Sequence, residues 1–156
     1  GSTIGILGAG QLGRMLALAA ARLGLKCHIY NDDVGPACEV AAQSTLGDFD
    51  DMEKIRTFAQ SCDAVTYEFE NVPVEAATAA ERCAPLRPGI KALQVSQDRL
   101  AEKQFVSELG LPVAPFAAVA SEEEFGAAVE AAGIPAILKT RRLGYDGKGQ
   151  ARVATA

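Results

Sequence analysis

Residues 3–13 read Thr-Ile-Gly-Ile-Leu-Gly-Ala-Gly-Gln-Leu-Gly, and this stretch decides the fold. Its first five residues form a short apolar run that predicts a buried parallel strand. The next six follow the pattern Gly-x-Gly-x-x-Gly, which is typical of a strand-to-helix turn that holds phosphate at the helix N-terminus. The same glycines also suit close strand-to-helix packing without a ligand, so the pattern alone leaves both interpretations open.

The residues after the turn predict a helix and a second strand. Apolar side chains recur there at helical spacing, namely Leu12, Met15, Leu16, Ala19, Ala20 and Leu23. Gly24 is the kind of residue that ends a helix, and residues 26–30 are strand-like. The result is a β-α-β unit in which Asp32 and Asp33 occupy the place expected for a ribose-binding acid.

Further alternation of strands and helices predicts an α/β fold with a parallel sheet. Strands are expected at residues 44–46 and 63–67, with helices at 51–60 and 74–83, the first of them opened by a capping box of Asp50 and Glu53. The pattern changes after residue 89. A helix is expected from Ser96 to Leu109, then a strand at 116–119, a helix opened by Ser121 and Glu124, and a hairpin of strands 136–138 and 150–153.

Composition narrows the class of protein. The chain has 156 residues and a formal charge of −5, which argues against general nucleic-acid binding. No apolar run is long enough to span a membrane, no signal peptide is visible, and residues 1–2 read as an expression scar. The four cysteines match no zinc or redox motif and are expected to be buried free thiols, which suits the cytoplasm. His28 is the only histidine, and we expect a structural role for it.

Two stretches carry candidate chemistry. Glu68 and Glu70 follow a predicted strand, at the edge where open α/β sheets bind ligands, although a plain polar loop before Pro73 is the alternative. The second stretch begins at Lys139 and reads Lys-Thr-Arg-Arg-Leu-Gly-Tyr-Asp-Gly-Lys-Gly-Gln. Its glycines and basic residues suit phosphate oxygens, whereas a solvated basic hairpin is the simpler alternative.

The order of residues 139–150 resembles the glycine-rich ATP loop of the ATP-grasp ligases. Three other stretches, residues 8–16, 66–73 and 97–103, extend the resemblance to the N5-carboxyaminoimidazole ribonucleotide synthetases of purine biosynthesis, in the family's order and over nearly the whole chain. The resemblance implies a Rossmann-like pre-ATP-grasp domain at residues 3–95 and the beginning of an ATP-grasp domain at 96–156. It also implies ATP, Mg²⁺, bicarbonate and 5-aminoimidazole ribonucleotide as ligands, and a possible homodimer.

The resemblance also implies roles for individual residues. ATP would be bound by Arg99, Lys139, Gly144, Tyr145, Asp146, Gly147, Lys148, Gly149 and Gln150. Catalytic roles would fall to Lys139, Tyr145, Asp146 and Lys148. The ribonucleotide substrate would be bound by Gln11, Leu12, Glu68 and Glu70.

Two departures from the family pattern stand out. Leu143 occupies a position where the family usually has the first of two glycines. The family's magnesium-binding acids lie downstream of a stretch like this one, so we expect no metal ligands in this chain, and we expect that the 156 residues alone do not turn over. The alternatives are another ATP-grasp purine ligase, such as the formate-dependent glycinamide ribonucleotide transformylase, an NAD-binding domain, and a non-catalytic nucleotide-binding module.

Overall fold

A computed structural model describes residues 1–144 and 148–154 of the chain. The chain divides into two compact units, Gly1–Gln94 (unit 1) and Val95–Ala156 (unit 2). None of the helices in the described ranges has the length and apolarity that crossing a bilayer requires.

Unit 1 is built on a four-stranded parallel sheet. Its elements are β1 (Thr3–Leu7), α1 (Gln11–Arg22), β2 (Lys26–Asn31), β3 (Gln43–Leu46), α2 (Met52–Gln60), β4 (Ala64–Tyr67) and α3 (Val74–Glu81), and α4 (Ile90–Ser96) spans the boundary with unit 2. The strand order is β3-β2-β1-β4. The chain runs from β1 through β2 to β3 on one side of β1 and then crosses over to form β4 on its other side. This arrangement creates a switch point between β1 and β4, which confirms the predicted α/β class.

The two central strands are buried on both faces, as expected for continuous apolar strands in a parallel sheet. Consecutive residues point to opposite faces. On one face of the sheet, Leu7 and Tyr30 pack in a cluster with Phe58 of α2 and with residues of α3. On the other face, Ile6 and Ile29 pack against residues of α1. All five side chains are at most 1% exposed, and each stabilises the fold by roughly 1.5–3 kcal/mol.

Helix α1 packs on the sheet with a different face from the one its large apolar residues form. Its buried residues are Gly13, Ala17 and Ala20. Leu12 and Met15 are each 58% exposed, and Leu23 is 77% exposed. The helix was predicted correctly, but of the predicted apolar set only Ala20 is buried, because small side chains let α1 approach the sheet closely.

The described residues of unit 2 form two helices and a hairpin after the end of α4. Its elements are α5 (Arg99–Glu108), α6 (Phe125–Ala132), β5 (Ala136–Lys139) and β6 (Gln150–Val153). Strands β5 and β6 pair antiparallel, with Lys139 opposite Gln150, which confirms the predicted hairpin.

Several local predictions were wrong. Asp51, not Asp50, caps α2 by accepting the N–H of Lys54 at 2.9 Å. Helix α5 begins at Arg99 rather than near Ser96, because Asp98 caps it. Residues 116–119 form no strand, since no strand in the described ranges pairs with them. The expected capping box also fails, because the carboxylate of Glu124 accepts the N–H of Ala120.

The single histidine has the structural role that the sequence suggested. His28 is 2% exposed, and its Nδ1 and Nε2 lie 2.8 Å from the hydroxyls of Ser61 and Thr45. Burial lowers the pKa of His28 from its usual value of 6.5, because a charged imidazolium is poorly solvated there. The four cysteines are free thiols, and only Cys27 is fully buried.

Candidate active site

The first candidate site lies in unit 1, at the switch point of the sheet. The carboxyl ends of β1 and β4 lie side by side, with Leu7 paired to Tyr67 in register. The backbone N–H of Glu68 donates to the carbonyl of Leu7 at 3.1 Å, so the acidic segment begins where the glycine turn begins. Ligands of open α/β sheets bind at such a point.

The carboxylate of Glu68 fills the glycine turn. One oxygen accepts the N–H of Gly10 at 2.5 Å, and the other accepts the N–H of Gly13. A Cβ at Gly8 would lie 2.4 Å from Cγ of Glu68, and one at Gly10 would lie 2.6 Å from its Oε1. The glycines are therefore needed to admit a carboxylate of the chain itself, which lies where a dinucleotide-binding fold holds its phosphates.

The other predicted substrate residues lie in the same two segments. Gln11 and Leu12 are exposed in the first turn of α1. Glu70 is half-buried, and its Oε1 accepts the side-chain N–H of Asn71 at 3.2 Å. Asp33, which the dinucleotide alternative needs as a ribose ligand, is exposed and accepts the N–H of Val34 at 2.7 Å.

The second candidate site is a narrow crevice in unit 2, at the start of the basic loop. It brings together six of the predicted ATP-binding residues and one residue that the sequence analysis did not assign. The lining residues are Arg99, Lys139, Thr140, Gly144, Lys148, Gly149 and Gln150. Three cationic residues thus line the crevice together with glycines, the combination that suits phosphate oxygens.

Thr140 is the residue that sequence reasoning missed. Its backbone N–H donates to the carbonyl of Gly149 at 2.8 Å, which closes the loop directly after the hairpin pair Lys139 and Gln150. A Cβ at Gly144 or at Gly149 would lie 2.6 Å from the Thr140 hydroxyl oxygen. Its position next to Lys139 in the sequence was the signal that could have identified it.

The two arginines of the loop are engaged by the segment before α5. Arg141 forms two hydrogen bonds with the carboxylate of Asp98, at 3.2 and 2.7 Å. Arg142 donates to the side-chain oxygen of Gln97 at 3.1 Å. Hydrogen bonds from Arg141 hold the pKa of Asp98 below its ordinary value. Arg141 and Arg142 therefore hold the loop in place, and less of their positive charge is available to a ligand than the sequence suggested.

A larger pocket of about 470 Å³ adjoins this crevice in unit 2. Its walls are mainly apolar, with Phe116, Val129 and Leu138 among them, and Arg99, Lys103 and Lys139 at its polar side. The ammonium of Lys103 lies 5.3 Å from the centre of the Phe116 ring. A mostly apolar pocket with a few polar or charged groups is the usual form of a small-molecule or cofactor site.

Part of the predicted site lies outside the described residues. Tyr145, Asp146 and Gly147 belong to this part, so their assigned roles stay predictions. Among residues 1–144 and 148–154, no three His, Cys, Asp or Glu side chains lie together in a way that could hold a metal ion.

The fold and the two sites define an α/β protein in which a filled glycine turn is followed by a unit with a basic, glycine-lined crevice. Residues 2–97 match the ribonucleotide synthetase preATP-grasp domain, and residues 104–156 match the ATP-grasp domain. The chain belongs to the ribonucleotide synthetase preATP-grasp family, and it continues into an ATP-grasp domain.

Several similar proteins are N5-carboxyaminoimidazole ribonucleotide synthases or synthetases. The N5-carboxyaminoimidazole ribonucleotide synthase of Brucella melitensis is 51% identical over 99% of this chain and 43% of its own length. The crystal structure of the Staphylococcus aureus synthetase complexed with ADP has a TM-score of 0.91 at 37% identity, over 99% of this chain and 42% of that one. The Aspergillus clavatus synthase in complex with ADP and 5-aminoimidazole ribonucleotide has a TM-score of 0.82 at 29% identity, over 99% and 41%. The chain thus spans less than half the length of these relatives.

Proposed function

We propose that this chain is part of an ATP-dependent ligase that carboxylates 5-aminoimidazole ribonucleotide with bicarbonate. Bicarbonate oxygen attacks the γ-phosphorus of ATP, which gives carboxyphosphate and ADP. The amino group of the ribonucleotide then attacks the carboxyl carbon, or carbon dioxide released from it, and phosphate leaves. The products are N5-carboxyaminoimidazole ribonucleotide, ADP and phosphate. We propose that the pre-ATP-grasp domain spans residues 3–95 and that residues 96–156 begin the ATP-grasp domain.

The observation that carries the proposal is the convergence of Arg99, Lys139 and Lys148 on one glycine-lined crevice. In a chain with a formal charge of −5, three cations at one crevice need a reason. Phosphoryl transfer supplies it, because charge on the transferred phosphoryl group must be neutralised by fixed groups. The 51% identity to a synthase of this reaction supports the same conclusion.

The ribonucleotide side of the reaction is assigned to unit 1. Gln11 offers a side-chain amide and Glu70 a carboxylate, the groups that hydrogen-bond ribose hydroxyls. Both lie in segments that flank the switch point of the sheet, where ligands of α/β folds bind. Tyr145 and Asp146 are proposed to reach the aminoimidazole.

The test is phosphate release from ATP in bicarbonate buffer, measured with the protein at its full natural length. We expect release that depends on 5-aminoimidazole ribonucleotide and is lost in Lys139→Ala. Release that depends instead on formate and glycinamide ribonucleotide would move the protein to another ATP-grasp ligase. If a folded protein releases no phosphate in response to either ribonucleotide, a non-catalytic module is favoured.

Two further proposals concern the metal ion and the cellular location of the protein. Mg²⁺ would accompany ATP, and among residues 1–144 and 148–154 no three His, Cys, Asp or Glu side chains lie together in a way that could hold it. We propose that its ligands lie outside this chain. Consumption of ATP and free thiols at four cysteines are compatible with a cytoplasmic protein.

We also propose a homodimer. Met15 and Leu16 of α1 and Leu23, directly after its end, form an exposed apolar stripe, and such a stripe can pack on its own copy about a twofold axis. Leu16→Glu should convert the dimer to a monomer in sedimentation. Leu46→Glu, which alters an equally exposed leucine on β3, should leave the dimer intact. A Leu16→Glu protein that stays dimeric would refute this interface.

A further inference from the structure

Helix α1 begins without the usual stabilising groups of its own. Its N-cap is Gly10, which has no side chain to accept the first N–H groups, and the first turn contains no acidic residue. A helix N-terminus leaves unpaired N–H groups and a partial positive charge that favours an anion. Something else must therefore satisfy this end of α1.

Glu68 supplies the missing acceptor from 55–58 residues away in the sequence. Its two carboxylate oxygens take the N–H groups of Gly10, the N-cap, and Gly13, the third helical residue. The pairing of β1 with β4 brings it there, since Glu68 is the first residue after β4. The fit is close on all sides, because a Cβ at Gly13 would lie 3.1 Å from the nearer carboxylate oxygen and 3.2 Å from Ala37.

We propose that Glu68 is a positioning residue that serves as a built-in anion of the glycine turn. It fixes the first turn of α1, and it prevents a phosphate from binding there, because the carboxylate occupies the N–H groups and repels a second negative charge. On this basis the Gly-x-Gly-x-x-Gly sequence of this chain is not a phosphate site. The ribose role suggested for Glu68 by resemblance then passes to Glu70.

The consequence for the substrate rests on the proposed function. Gln11 and Leu12 lie between the two glycines whose N–H groups Glu68 holds. Their backbone position is therefore set by Glu68, although Glu68 itself does not touch the substrate. Removing the carboxylate should raise the KM for the ribonucleotide about tenfold and leave the KM for ATP within twofold of the wild-type value.

The test that does not depend on activity is anion rescue of stability in the full-length protein. Glu68→Ala should lower the melting temperature by roughly 4–10 °C, because charge-assisted hydrogen bonds at two partly buried N–H groups are lost. Sodium formate should then raise the melting temperature of Glu68→Ala by several degrees more than sodium chloride at the same ionic strength. Glu70→Ala is the matched control. Its melting temperature should be only slightly below that of the wild type, and formate should raise it no more than chloride does.

A second variant covers the case in which Glu68→Ala does not fold. Glu68→Gln keeps the shape but replaces one acceptor oxygen with an N–H₂ group, so it should melt below the wild type and show no formate effect. Inorganic phosphate should raise the melting temperature of Glu68→Ala by several degrees more than it raises that of the wild type, because both proteins keep the crevice of unit 2. Equal effects of formate and chloride on Glu68→Ala, or wild-type melting of Glu68→Gln, would overturn the proposal. If rescue occurs but ribonucleotide-dependent turnover is absent, the proposed function fails and the built-in anion stands.

Discussion

The carboxylate of Asp98 joins two parts of unit 2 that present cations to one crevice. It caps α5 by accepting the N–H groups of Leu100 and Ala101 at 2.9 and 3.2 Å, and it is held at the same time by Arg141. The backbone adds a third tie, because the N–H of Arg99 donates to the carbonyl of Arg141 at 2.9 Å. Arg99 is thus fixed relative to the strand end that presents Lys139.

Breaking this link should cost both stability and nucleotide affinity. Asp98→Asn keeps a capping oxygen but loses the ion pair, so we expect unit 2 to lose about 1 kcal/mol of unfolding free energy. The affinity for ADP should fall about threefold to tenfold in isothermal titration with the full-length protein. Arg142→Gln is the control, because Arg142 bonds only a neutral oxygen of Gln97 in the described contacts. Equal losses in both variants would contradict the assigned role of Asp98.

Lys139 and Glu70 lie in different units and should affect different substrates. Lys139→Ala removes a cation from the crevice, so we expect the KM for ATP to rise, or kcat to fall, by at least tenfold. Glu70→Ala should mainly raise the KM for the ribonucleotide. Steady-state kinetics with each substrate varied in turn would check both. A Glu70→Ala enzyme with an unchanged ribonucleotide KM would remove Glu70 from the site.

Leu143 has a backbone conformation that favours glycine. Its φ is +58°, and its side chain is 69% exposed, so little burial offsets the strain. Left-handed backbone costs a non-glycine residue roughly 1–2 kcal/mol. Leu143→Gly should therefore stabilise unit 2 by about 0.5–1 kcal/mol in denaturant unfolding. Leu143→Ala removes the same side chain but keeps Cβ, so it should give no such gain, and equal effects of the two variants would contradict the argument.

The order of elements in unit 1 could be predicted because strand and helix periodicity are local properties. The face of α1 that packs on the sheet could not be predicted in this way. Leu12, Met15 and Leu16 form one stripe and Gly13, Ala17 and Ala20 form another, and periodicity does not tell which one meets the sheet. Close approach to the sheet selected the smaller residues.

The arrangement of Glu68 was beyond sequence reasoning for a related reason. Its place in the glycine turn depends on which strand lies next to β1, and strand order is a long-range property. The crevice of unit 2 was easier, because most of its residues lie within twelve positions of Lys139. Thr140 lies next to Lys139 in the sequence, but its role depends on the hydrogen bond that closes the loop at Gly149, which is a structural contact.

The acid limit of stability should be set in part by His28, the only histidine of the 156-residue chain. Its pKa is lowered by burial, so the folded state keeps it neutral while the unfolded chain binds a proton near pH 6.5. The contribution of His28 to the unfolding free energy should therefore be constant above about pH 7.5 and decrease as the pH falls through 6.5, by at most about 1.4 kcal/mol per pH unit. Denaturant unfolding of the 156-residue chain at several pH values would show this, and the same slope in His28→Gln would assign it to other groups.

The alkaline limit should depend on Tyr30. Its side chain is fully buried, its hydroxyl donates to the carbonyl of Asp48 at 2.7 Å, and burial, with the carboxylates of residues 48, 50 and 51, raises its pKa to about 12. Because the unfolded chain loses this proton near pH 10, the contribution of Tyr30 to the unfolding free energy should be complete below pH 10 and fall by up to about 3 kcal/mol as the pH approaches 12. Tyr30→Phe cannot titrate, so it should lose roughly 1 kcal/mol at neutral pH and show a smaller alkaline decline. A tyrosinate absorbance titration in which Tyr30→Phe retains the highest step would contradict the assignment.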